Sequence, residues 1–189
     1  MHATVRAPAA LGLPAREETK VVSRDAFLSA MRRAASPVSV ITTNLGGKRM
    51  ALTVSSFLSV SADPPLISVC VNRSSKMCEA MVKSGSFGVH VLSDDQAHVA
   101  DMFAGRPRSG EAYDFSCVDW VHQGEAREPL MAGVAIAAEC SVVSVTEAGS
   151  HNLFISEVRN LITNEKRPLL YWNRLYGFPA HAADVRHEN

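Results

Sequence analysis

The chain has 189 residues, 47% hydrophobic and 20% charged, a size and balance that suit one domain of globular composition. Nineteen Lys and Arg balance nineteen Asp and Glu, so there is no basic surplus for a nucleic-acid or anionic membrane surface. No run nears the ~18 consecutive apolar residues of a membrane helix, and neutrality removes self-repulsion that would oppose a dimer.

Four cysteines, Cys70, Cys78, Cys117 and Cys140, form no C-x-x-C pair, and the histidines have no zinc-finger or H-E-x-x-H spacing. No metal is expected. Cys70 and Cys140 stand in apolar runs, where cysteine acts as a small core residue, and a reduced, cytoplasmic protein is the simplest expectation.

Residues 1–20 mix Ala, Pro, Arg and Glu without an apolar period or a continuous h-region. They are expected to be a tail rather than a secretory signal. Ser23 is a good N-cap, and Phe27, Ala30, Met31 and Ala34 recur at helical spacing, predicting a one-sided helix ended by Pro37. Residues 38–43 alternate as a strand. Asn44-Leu45-Gly46-Gly47 is a turn signal, and a return strand is expected over 50–58. Asp63-Pro64-Pro65 breaks the chain before an apolar strand at 66–71. A short helix follows, with Met77, Ala80 and Met81 on one face and Gly85 closing it.

Residues 87–92 predict another strand. Ser93-x-x-Gln96 has capping-box form, and Val99, Met102 and Phe103 give the next helix its buried side. Residues 105–128 read as a polar, irregular loop anchored by Tyr113, Phe115 and Trp120. Long strands are expected at 134–145 and 151–161, separated by the turn Glu147-Ala148-Gly149-Ser150, and a last one at 169–172. About seven strands and three short helices, mostly joined by tight turns, favour an antiparallel, mainly β barrel over a parallel α/β sheet.

The chain holds no G-x-S-x-G, P-loop, G-x-G-x-x-G or paired-carboxylate signature. Three local features remain. Thr53-Val54-Ser55-Ser56-Phe57 carries hydroxyls suited to a planar ligand rich in acceptors, or equally to an ordinary polar edge strand. Asn72-Arg73-Ser74-Ser75-Lys76 lies at a strand-to-helix junction, where backbone N–H groups and two cations suit a phosphate; the alternative is Ser74 as an N-cap with both cations in water. His151, just after a turn, is either a solvated residue or a proton carrier. The same choice applies to His90, His98 and His122.

Taken in order, the chain resembles the flavin reductase-like family, the reductase components of two-component flavin monooxygenases. The residues that carry the resemblance run over about four-fifths of the chain. They are Phe27-x3-Met31-Arg32; Pro37-Val38-Ser39-Val40-Ile41-Thr42-Thr43; and Leu52-Thr53-Val54-Ser55-Ser56-Phe57-x-Ser59-Val60-Ser61-x-Asp63-Pro64-Pro65-Leu66. Ser74-x-Lys76, Phe87-Gly88-Val89-His90-Val91-Leu92 and Phe103-Ala104-Gly105 follow. Gly149-x-His151-x-Leu153-Phe154-Ile155 and Pro168-Leu169-Leu170-Tyr171 complete the set.

The resemblance implies an FMN-binding split β-barrel over residues 21–178, usually a homodimer, with short tails at 1–20 and 179–189. It implies that NADH or NADPH reduces FMN or FAD, and that reduced flavin diffuses to a partner monooxygenase. Under it, Thr53, Val54, Ser55 and Ser56 line the isoalloxazine and ribityl chain. Asn72, Arg73, Ser74, Ser75 and Lys76 hold the phosphate. His151 is the residue near the nicotinamide, and Tyr171, Arg174 and Tyr176 help close over the nicotinamide nucleotide. Arg106 and Arg108 are candidates to meet a 2′-phosphate. Hydride passes between two cofactor atoms, so the absence of a catalytic dyad fits.

Three positions depart from the family pattern. Ser150 replaces Asp, removing a charge that would raise the pKa of His151. Ser156 replaces Gly where backbone is expected to approach the cofactor, and His90 replaces Asn where an amide contact is expected. Two other readings stay open: a tight-FMN reductase acting on another acceptor such as a metal complex, and a non-catalytic flavin-binding protein.

Overall fold

A computed structural model of the chain describes residues 21–121 and 130–180. The expected N-terminal tail, most of the expected C-terminal one and part of the 105–128 loop lie outside the described residues. In chain order the elements are α1 (Arg24–Met31), β1 (Ser36–Pro37), β2 (Ser39–Leu45), β3 (Lys48–Val54), β4 (Leu58–Ala62) and β5 (Pro65–Asn72). Then come α2 (Lys76–Ser84), β6 (Ser86–Val91), α3 (Ala97–Phe103), a 3₁₀ turn (Phe115–Cys117), β7 (Trp120–Val121) and β8 (Leu130–Met131). The long strands β9 (Ile136–Ala148) and β10 (His151–Thr163) precede the small hairpin β11 (Leu170–Trp172) and β12 (Leu175–Gly177).

Seven strands form one antiparallel sheet in the order β3-β2-β6-β9-β10-β5-β4, while β1-β11-β12 and β7-β8 make two small sheets. The hairpins follow from their turn residues. Leu45 pairs with Lys48 across Gly46 and Gly47, both at positive φ, the two-residue turn whose twist matches antiparallel strands. Asn173 and Arg174, also both at positive φ, turn β11 into β12.

Each face of the sheet has its own core. Ile41, Val69, Phe87, Val89, Cys140 and Phe154 pack with Met77 and Met81 of α2. Val40, Ala51, Leu92 and Ala137 pack with Val99, Ala100 and Phe103 of α3. Ile41 of β2 and Val69 of β5 share a cluster although three strands separate them in the sheet. The sheet is therefore curled, with its edges β3 and β4 at a seam. There Ser56 Oγ accepts from the Cys70 amide at 3.0 Å and donates to the Cys70 carbonyl at 2.9 Å, replacing a missing ladder rung.

Several expectations change. The strand expected over 50–58 is two, because the chain leaves the β2 ladder after Val54 and joins β5 from Leu58. The first helix ends at Met31, six residues before Pro37, with its capping amide already on Ala30 and Leu28 carbonyls. Its apolar stripe is not buried: Phe27 and Met31 are more than half exposed. The Ser93–Gln96 box is half made, since Gln96 Oε1 accepts from the Ser93 amide at 3.0 Å while the Ser93 hydroxyl turns to Asp95 and the Gly133 carbonyl. The strand expected at 169–172 belongs to a small separate sheet.

Candidate functional site

The C-terminal half of β3 and the segment after it run along the seam. Their alternation sets what each side chain can do. Thr53 points to the α3 side and donates to the Ala100 carbonyl at 2.8 Å, which fixes α3 against the strand. Val54 packs toward the other core. Ser56 is committed to β5, so Ser55, exposed, holds the hydroxyl left open to a ligand.

A cleft of about 290 Å³ opens here, lined by Leu52, Thr53, Val54, Ser55 and Ser56 and closed by Asn72 and His151. His151 reaches it because the first rung of β10 pairs His151 with Asn72 of β5. Its Nδ1 lies 2.9 Å from the Ser150 hydroxyl, so the serine that replaces the family's aspartate still orients the ring, without its charge. A smaller cleft of about 150 Å³ lies on the other side of Thr53, Val54 and Ser55, walled by Arg106, Tyr171 and Tyr176. The two tyrosine rings are 5.5 Å apart, and Tyr176 donates to Asp101 at 2.7 Å. Burial, and the Asp101 carboxylate that takes its hydrogen bond, hold the Tyr176 hydroxyl well above the usual phenol range.

The strand-to-helix corner is tightly organised. Asn72 Oδ1 accepts from both the amide and the hydroxyl of Ser74, at 2.9 and 2.8 Å. The N-cap of α2 is Ser75, not Ser74: the Ser75 hydroxyl accepts from the Cys78 amide at 3.1 Å. The first amides of the helix have no intrahelical partner, which leaves an anion-attracting end beside Lys76. Arg73 is drawn the other way. Its guanidinium meets Glu147 at 3.0 Å and the Gly149 carbonyl at 3.5 Å, so it braces the turn between β9 and β10. Lys76 makes no ion pair among the described residues.

The site thus gathers Thr53, Val54, Ser55, Ser56, Asn72 and His151 at one cleft and Tyr171 and Tyr176 at the next. Arg174 stands apart, exposed at the tip of the small hairpin. Arg108 turns to Asp101 at 3.6 Å, while Arg106 faces the smaller cleft. Asp101 itself was not foreseen, and only the helical period before Phe103 hints at its position.

Two expectations about departures are corrected. His90 is fully buried, with Nδ1 3.0 Å from the Val40 carbonyl and its ring edge-on to Trp120, so it makes no approach to the clefts. Ser156 is likewise fully buried within β10, at a register shift against β9.

Ser150 and His151 touch, but they are sequence neighbours on an exposed turn, and no carboxylate bonds the imidazole among the described residues. Such a groove can bind, orient and polarise what enters it. The class is a curled antiparallel-sheet protein with two adjoining clefts on one strand. More particularly, the chain belongs to the flavin reductase family: the description "Flavin reductase like domain" matches residues 31–179. It is 35% identical over 177 residues to the flavin reductase (NADH) of Kitasatospora aureofaciens, covering 89% of this chain and 88% of that one. It is 31% identical over 156 residues to the FMN reductase (NADH) RutF of Ancylobacter novellus, covering 82% and 84%. Among solved structures, the Streptomyces globisporus NADH:FAD oxidoreductase SgcE6, in complex with NAD and FAD fragments, superimposes with a TM-score of 0.76 at 28% identity. That match covers 88% of this chain and all of that one. The names of these relatives give NADH as the reductant and FMN or FAD as the flavin.

Proposed function

We propose that the chain binds flavin along the β3 seam and admits the nicotinamide nucleotide beside it, releasing reduced flavin to a monooxygenase component. The observation that carries this reading is that one stretch, Thr53 to Ser55, walls two adjoining clefts. Two flat rings can meet across that stretch. Bound there, flavin would supply the hydride acceptor and the nicotinamide the hydride donor.

The residues divide the remaining work. Ser55 and the β3 backbone offer hydrogen bonds to the ring edge. Asn72 shapes the corner, and the α2 amides with Ser75 and Lys76 draw the phosphate. Arg73 and Ser74 support that corner through Glu147 and Asn72. His151 lies at the rim, where it excludes water and steadies the carboxamide of the nicotinamide. Tyr171 and Tyr176 form the facing wall, and Arg174 at the hairpin tip guards its entrance. Neutral overall charge makes the local cation Lys76 decisive for an anionic ligand.

A homodimer, located in the cytoplasm, belongs to the same reading. Exposed apolar side chains gather on β4 (Leu58, Val60) and on the β9–β10 hairpin (Val143, Val145, Leu161), a surface suited to a second copy. No helix among the described residues is long and apolar enough to cross a membrane.

The test is NADH and NADPH oxidation with FMN, FAD and riboflavin, repeated by stopped flow for His151→Ala. We expect oxidation that depends on added flavin, and reduction slowed about tenfold in the variant, ~1.4 kcal/mol, with flavin affinity kept. Failure of every flavin to support oxidation overturns the activity. Unchanged reduction rates in the variant remove His151 from the site.

A further inference from the structure

A further cleft of about 390 Å³ shares Leu52, Ser75 and Lys76 with the reading above and is otherwise unused by it. It lies upstream on the same strand, between Met50 and Leu52 of β3, Lys76 and Met77 of α2, and Tyr113 and Phe115 of the loop after α3. We infer that this second cleft receives the adenylate half of FAD, and that it makes the chain prefer FAD to FMN. The inference rests on the flavin groove proposed above.

Continuity is the first argument. Leu52 lines both clefts, residues 52–56 border the flavin-ring cleft, and residues 48–52 border the second. Strand residues advance about 3.3 Å each, so the two centres are offset by roughly 13 Å, the scale of an extended dinucleotide. At the junction stand Ser75 and Lys76 at the start of α2. A pyrophosphate crossing from one cleft to the other would pass this helix end. FMN, ending at one phosphate at this helix end, would leave the rest of the second cleft, from Lys48 to Phe115, unfilled.

Chemistry is the second. The walls are mainly apolar, with Met50, Leu52 and Met77, and two aromatic rings complete them, as a purine needs. Lys48 and Lys76 add positive charge at the rim, complementary to an anionic nucleotide. Tyr113 is held in place by unusual means. It has φ 65, a conformation rare for a bulky residue, and its amide donates to the Met102 carbonyl at 3.3 Å. Its hydroxyl packs where any Cβ on Gly105 would come within 2.8 Å, so Gly105 makes room for it. The residue remains 49% exposed, so part of the ring is open to stacking.

The experiment measures kcat/KM for FAD and FMN with NADH in the full-length chain and in Tyr113→Ala and Lys48→Glu. AMP is added as a competitor in parallel. We expect the wild-type ratio of FAD to FMN kcat/KM to exceed fivefold, and to fall at least fivefold in each variant. AMP should inhibit FAD reduction competitively and FMN reduction at least fivefold more weakly. Equal use of the two flavins with AMP inhibiting neither or both alike overturns the inference, as does an unchanged ratio in both folded variants. Loss of reduction with every flavin in the wild type instead overturns the underlying activity. Should Tyr113→Ala not fold, AMP inhibition and Lys48→Glu decide.

Discussion

Replacing Ser56 with alanine removes the side chain that ties the seam of the curled sheet. In β5 the amide and carbonyl of Cys70 face the β4 side, but the β4–β5 ladder reaches only to Ser68, and Ser56 Oγ serves both Cys70 groups. Both bonds are part-buried, so their loss costs about 1 kcal/mol each, or ~2 kcal/mol in all, approaching 3 if water cannot enter the gap. For a chain of this size that lowers the melting temperature by about 4–8 °C. Ser55→Ala is the control: its side chain is exposed and makes no hydrogen bond among the described residues, so its effect stays within about 0.5 kcal/mol. Urea or thermal unfolding of both variants reads the difference directly. Ser56 also lines the cleft proposed for the flavin ring, so flavin affinity is expected to fall in the Ser56 variant as well. Equal stability for the two alanine variants would refute the idea that this hydroxyl closes the sheet.

His90 sets an acid limit on stability. Burial pushes its pKa down to about 4, against the weaker opposing pull of the Val40 carbonyl. The folded protein therefore keeps it neutral while the unfolded chain protonates below about 6.5. Stability is full above pH 6.5 and falls as pH drops toward 4, by ~3 kcal/mol over that window; urea titrations at several pH values should show this slope in wild type and its flattening in His90→Asn. Tyr176→Phe removes the hydrogen bond to Asp101 and should cost ~1–2 kcal/mol, while raising the KM for NADH several-fold with little change in flavin affinity. A KM for NADH equal to wild type would take the tyrosine wall out of nucleotide binding.

Much of the scaffold was legible because it depends on local rules. Alternation marked β2, short runs bounded by turn and capping signals marked β5, β6, β9 and β10, and the Gly46-Gly47 pair marked the first hairpin. Gly85 ends α2 in the left-handed conformation that its residue type allows. The ordered motif set then pointed to the family, and with it to Thr53, Val54, Ser55, Ser56, Asn72 and His151 as neighbours. Their spacing of up to about a hundred residues is bridged by a single rung, His151 to Asn72, which no local pattern predicts.

Other features were settled by partners far away in sequence. Residues 53–61 contain no Gly, Pro, Asn or Asp, so no turn residue marks the strand break at Ser55; the Cys70 backbone, across the seam, claims Ser56. Arg73 is expected at the phosphate, and its pairing with Glu147 arises only once β9 and β10 fold back. Ser156 was expected where backbone nears the cofactor and His90 in place of an amide contact, because strand parity says which faces a side chain has, not which face is covered; His90 is buried against Val40 and Trp120, and Ser156 is buried within β10. The sequence by itself determined the long strands, the first hairpin turn, the family and the set of groups proposed to meet a flavin. Tertiary structure alone decided which of those groups remain open to a ligand, because hydrogen bonds and burial between distant segments use up the others first.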